Sequence, residues 1–67
     1  MIQVTVNGSS NRFDDSIDVA QLIERLALNG RKLAVERNGE IVPRSAHRTT
    51  RLDDGDRLEI VVAVGGG

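Results

Sequence analysis

The residues with the strongest claim to chemistry are the last seven, Val61-Val62-Ala63-Val64-Gly65-Gly66-Gly67. An apolar, strand-forming run passes directly into three glycines. Glycine lacks a Cβ and loses the most conformational entropy on ordering, so three in succession at a chain end are expected to be mobile. Fully extended, they reach roughly 10 Å, enough to carry a carboxylate on Gly67 beyond the surface of a small domain. Without side chains, Gly65 and Gly66 can thread a narrow slot and leave the Gly67 carboxyl carbon open to a nucleophile. A frayed end or a linker remnant is the alternative that the glycines alone leave open.

Other candidates are weaker. His47 is the single histidine and the chain has no cysteine, so a metal or catalytic role is not expected there. Arg44, Arg48 and Arg51 cluster around His47, but no aromatic interleaves them. A solvated charged loop is therefore expected over contact of this cluster with an acidic partner or RNA, with Arg44 the candidate for partner docking. Asp53, Asp54 and Asp56 lack calcium-loop spacing and a closing glutamate, and read as a turn. Phe13, the only aromatic, is expected in the core.

Composition narrows the classes. At 67 residues the chain makes one small domain, close to the size where burial becomes marginal. Without cysteine there is no disulfide, thiolate metal site or persulfide to carry. Nine basic against ten acidic residues give a net charge of −1 and no global nucleic-acid footprint. No apolar run approaches the ~20 residues of a membrane span, and the first residues look like a strand rather than an export signal. A soluble, cytoplasmic protein is the default expectation.

The elements that must position the tail follow from periodicity and turn chemistry. Met1–Val6 alternates apolar with polar, as a half-buried strand does. Asn7-Gly8-Ser9-Ser10 reads as a turn, with 11–14 a short returning strand anchored by Phe13. Asp18 with Gln21 three residues later makes a capping box, and Ile17 with Leu22 a hydrophobic staple. Val19, Leu22, Ile23 and Leu26 then form one apolar helical stripe, ended by Asn29-Gly30 with Gly30 as the left-handed residue. Strands are expected over 33–37 and 40–42 around Asn38-Gly39, with Pro43 placing the second at an edge. Residues 44–51 make an irregular crossing with room for one helical turn, pinned by Leu52. A last strand covers 57–62.

This order predicts an α+β domain over 1–64, with one helix packed on a mixed sheet of about five strands and a flexible glycine tail over 65–67. The right-handed crossover rule is best met if the last strand lies parallel beside the first, in the middle of the sheet. Val61, Ala63 and Val64 would then offer an apolar docking patch beside the tail, or simply reflect strand propensity near a strand end.

The chain resembles the ThiS family of sulfur carriers, within the ubiquitin-like β-grasp superfamily that also holds the MoaD proteins. The resemblance runs through Val35-Glu36-Arg37-Asn38-Gly39-Glu40-Ile41-Val42-Pro43-Arg44, Asp54-Gly55-Asp56-Arg57-Leu58-Glu59-Ile60 and the terminal glycines. It implies a carrier that is a protein co-substrate and not an enzyme, binding no cofactor itself. An E1-like adenylyltransferase (ThiF-like) would use ATP and magnesium to adenylate the Gly67 carboxylate. Sulfur originating on a cysteine desulfurase would then give a thiocarboxylate, spent by a thiazole synthase (ThiG-like). Gly65 and Gly66 become the threading arm. Alternatives are a molybdopterin synthase small subunit with the same chemistry, a non-catalytic β-grasp binding module, and a modifier conjugated to lysines.

Overall fold

The computed structural model describes residues 1–63; Val64, Gly65, Gly66 and Gly67 lie outside the described residues. Strand β1 (Ile2–Val6) buries Val4 and Val6 and turns back through Asn7 and Gly8, both at positive φ, into β2 (Ser9–Phe13). Two left-handed residues suffice to reverse the chain. Val6 therefore pairs directly with Ser9, and β2 begins two residues earlier than the expected 11–14 strand, leaving Asp14 outside it. A second Asn-Gly turn, Asn38-Gly39, joins β3 (Leu33–Arg37) to β4 (Glu40–Val42) as expected. Pro43 ends β4, a 3-10 turn spans Arg44–Ala46, and Leu52 is buried beneath the crossing. β5 (Arg57–Val62) completes the sheet.

The strand order is β2-β1-β5-β3-β4, with β5 parallel to β1 and antiparallel to β3. This is the expected β-grasp arrangement. Helix α1 (Val19–Arg25) covers one face, where Val19 and Leu22 meet Val4, Val35 and Leu58 in a core from which water is excluded. Phe13 joins that core, with the Arg25 guanidinium 5.5 Å from its ring centroid. Among the described residues, no helix is long and apolar enough to cross a membrane.

The start of α1 follows the sequence closely. Asp18 accepts from the Gln21 backbone at 2.8 Å, and the Gln21 side chain accepts from the Asp18 backbone at 2.9 Å. The end does not. The helix stops at Arg25, and the left-handed residue after it is Ala27, at φ 59°, rather than Gly30, which sits in a later turn at φ 86°. The Ala27 amide donates to the Glu24 carbonyl and the Leu28 amide to the Ile23 carbonyl, each at 3.0 Å, which is a Schellman closure. Burial of Ile23 and partial burial of Leu28 against the core select this earlier stop over the glycine. A Cβ in the left-handed region costs roughly 1–2 kcal/mol, part of which glycine's extra unfolded-state entropy offsets. Ala27→Gly is therefore expected to stabilise the fold by about 1 kcal/mol and raise Tm by roughly 4–8 °C in a thermal melt. An unchanged or lower Tm would contradict this account of the helix end.

Candidate functional site

The site begins where β5 hands the chain on toward the tail. On one side, β1 holds the 55–58 segment, through a short parallel ladder of Thr5 with Arg57 and Val6 with Leu58 and a contact to the turn before it. The Thr5 amide donates to Asp56 and the Asn7 amide to Leu58, both at 2.9 Å, while Gly55 donates to Gln3 at 2.7 Å. Where β1 turns away, the Asn7 side chain continues its work. Its Nδ2 donates to the Ile60 carbonyl at 2.9 Å, and its Oδ1 accepts from the Ile60 amide at 2.7 Å. On the other side β3 pairs with β5 from Leu33↔Val62 to Arg37↔Leu58. The Ala63 amide then donates to the Lys32 carbonyl at 2.9 Å, so pairing continues one residue past the strand.

Alternation along β5 sends Leu58 and Ile60 into the core and Val61 outward, 64% exposed. Val61 lies beside Ala34, and Ile41, also 64% exposed, lies on the same outer face two strands away. Ala63 is exposed as well. Of the expected docking residues, Val61 and Ala63 thus flank the exit and Val64 falls outside the described residues. Arg44 does not join them. It lies on the helix side with α1, because the chain crosses under the sheet after Pro43. Ala34 and Ile41 were missed from sequence, though Ile41 stands next to the inward Val42, and strand alternation puts such a neighbour outward. Glu36 faces Glu59 directly on this surface, a like-charge pairing that costs stability rather than adding to it.

Of the remaining sequence candidates, Asp56, Arg51 and His47 make contacts within the fold. Asp56, 6% exposed, anchors the turn that feeds β5. Its Oδ2 accepts from Arg37 Nε and from the Asp53 amide, each at 2.8 Å, and its Oδ1 accepts from Asn38 Nδ2 at 3.0 Å. Asn38 Oδ1 in turn accepts from the Arg57 amide at 2.9 Å. Arg51 donates to the Ser16 carbonyl, and His47 Nε2 lies 3.2 Å from the Val42 carbonyl. No group of three or more possible metal ligands occurs among the described residues. Burial alone would raise the Asp56 carboxyl, but the Asp53 amide, the Asn38 amide and the Arg37 guanidinium together hold it below its ordinary value. A depressed folded value means its stabilisation is present above the unfolded carboxyl range near pH 4 and is lost as pH falls through the folded value. Asp56→Asn turns an amide NH2 toward donors and leaves Arg37 only its contact with the exposed Asp53 carboxylate. It is expected to cost about 2–3 kcal/mol at pH 7 and to flatten the acid limb of stability, read by urea unfolding against pH. Asn7→Ala should cost about 2 kcal/mol and speed hydrogen exchange at the Ile60 amide; unchanged exchange there would mean the clip does not hold β5.

Comparison with known proteins follows the same lines. The model of the ThiS family matches residues 4–67. A crystal structure of the thiamine biosynthesis protein ThiS from Geobacter metallireducens is 35% identical and superposes with a TM-score of 0.82, over 98% of this chain and all of that one. A solution structure of a thiamine biosynthesis protein from the same organism, also 35% identical, gives 0.80 over 98% and 88%. A thiazole synthase of Paramagnetospirillum magneticum is 44% identical over 66 residues, which are 98% of this chain but 20% of that protein; the chain spans about a fifth of that relative. A ycf40 protein of Pyropia yezoensis is 33% identical over 98% of this chain and 93% of its own. With a family model spanning 4–67 and matching solved structures, the chain belongs to the ThiS family.

Proposed function

We propose that this chain carries sulfur as a thiocarboxylate on Gly67 and delivers it for thiazole formation in thiamine biosynthesis. The observation that carries the reading is the placement of β5: the strand leading to the glycines is held on both sides as far as Ile60, and on the β3 side up to Ala63. Three glycines following such a base would offer a partner a terminal carboxyl with no side chain in the way. A carboxylate is ionised at neutral pH and has no leaving group, so activation must come from a partner. An E1-like adenylyltransferase supplies it with ATP and magnesium: the Gly67 carboxylate attacks the α-phosphorus and pyrophosphate leaves. A persulfide sulfur then displaces AMP at the acyl carbon, and thiol cleavage of the sulfur–sulfur bond leaves the thiocarboxylate. In this reading the chain is a co-substrate working in the cytoplasm, and Gly65 and Gly66 are the arm.

The recipient proposed is a thiazole synthase. The Paramagnetospirillum relative supports this, since a protein of that name contains a stretch 44% identical to this chain. Donor and acceptor joined on one chain meet at a high effective concentration. The outer face around Val61, Ala34 and Ile41 offers these partners an apolar landing beside the arm.

Incubation with an E1-like adenylyltransferase, ATP, magnesium and a persulfide donor should change the intact mass by one oxygen-to-sulfur exchange. An unchanged mass, in a mixture that loads another carrier, would overturn the proposal. Removal of Gly66 and Gly67 should abolish loading and leave Tm unchanged; a large fall in Tm would make the tail a structural element instead.

A further inference from the structure

On the helix side of the sheet, α1, the segment 28–33 and the segment 44–48 line a groove of about 680 Å³. Its floor is aliphatic, made by Ile23, Leu28 and Leu33. Its rim is cationic, with Arg31 and Lys32 from one segment and Arg44 and Arg48 from the other, all exposed. Glu24 is the one acidic lining residue, so four cations less one anion leave a local charge of +3 in a chain whose net charge is −1. Among the described residues only Arg37 forms ion pairs, so none of the four rim cations is neutralised there.

The dipole of α1 does not account for Arg31 or Lys32, since the helix ends at Arg25 and its last-turn cation is Arg25. Nor does it account for Arg44 and Arg48, which come from the separate 44–48 segment and add their repulsion to the same groove. An incoming anion relieves that repulsion, and complementarity of this kind steers and selects partners. The aliphatic floor selects further, because a bare phosphate or nucleotide phosphate gains nothing from Ile23, Leu28 and Leu33. A peptide with carboxylates flanking an aliphatic side chain uses both features.

We propose that this groove docks an acidic segment of a partner protein, with carboxylates against Arg31, Lys32, Arg44 and Arg48 and one aliphatic side chain on the floor. The location gives the contact a consequence. Leu33 pairs with Val62, and Lys32 accepts from the Ala63 amide, so the groove adjoins the root of the tail. Val61 and Ile41 lie on the opposite face of the sheet. A partner in the groove leaves that face open, so two proteins can hold the carrier at once during a hand-over.

The test is an amide-resolved NMR titration of the isotope-labelled 67-residue chain with the blocked peptide Asp-Glu-Leu-Glu-Asp. Shifts should concentrate at residues 28–33 and 44–48. The isosteric Asn-Gln-Leu-Gln-Asn peptide should not bind, and the acidic peptide with serine in place of leucine should bind more weakly. The double variant Arg44→Glu, Arg48→Glu should weaken binding at least about tenfold with the remaining spectrum unchanged, while Arg12→Glu on β2 should not alter it. Equal binding of the neutral peptide, or shifts scattered away from the groove, would overturn the proposal. So would inorganic triphosphate or anionic phospholipid vesicles that bind as tightly as the peptide, since these would mark a general anion surface. A chain lacking residues 64–67 that binds the peptide tenfold more tightly would identify the protein's own tail as the occupant and overturn it equally.

Discussion

The constraint on which the rest of this molecule depends is that its last strand must be an inner one. β5 is inserted between β1 and β3 after both hairpins have been laid down in sequence, so every bond that fixes it is long-range. The parallel contact with β1 is short, and two side chains lengthen it. Asn7 brackets Ile60 with both ends of its amide, and Asn38 reaches Asp56 and Arg57 from the opposite edge. Each asparagine also supplies a left-handed residue for its own hairpin. The residues that reverse the chain are therefore the ones that secure the strand leading to the tail.

This arrangement leaves two different surfaces on the two sides of the sheet. The outer face of the sheet carries Val61, Ala34 and Ile41 with Glu36 and Glu59 between them. The helix side carries the cationic groove of Arg31, Lys32, Arg44 and Arg48. Both reach the end of the sheet from which the chain continues past Ala63. In a chain of 67 residues with a core of modest size, nearly all inward-facing side chains are needed for burial. Recognition is left to the outward positions of the strands and to the crossing, and the near-zero net charge conceals how unevenly charge is placed on them.

Much of the fold was legible in advance because local rules and the global arrangement agree. The alternation of Ile2–Val6 and Arg57–Val62, the Asn-Gly pairs and the Asp18–Gln21 box each specify an element from side-chain chemistry within a few residues. The errors fell where a tertiary contact overrode a local preference. Gly30 is the better left-handed residue, yet the helix closes at Ala27 because Ile23 and Leu28 pack there. Arg44 and Val61 were each open to a partner in the sequence, and only the crossing after Pro43 shows that they lie on opposite sides of the sheet.

By itself the sequence determined the strands, the capped helix, the glycine end and the family, because each is written in periodicity, turn chemistry or short motifs whose physics is local. The tertiary structure alone decided that Asn7 would clamp Ile60 and that Asp56 would sink between Arg37 and Asn38. It alone decided, too, that cations at 31–32 and 44–48 would ring one groove. Those pairings join residues up to 53 positions apart. No local rule reaches that far, and only the closing of the sheet around β5 brings such groups within bonding distance.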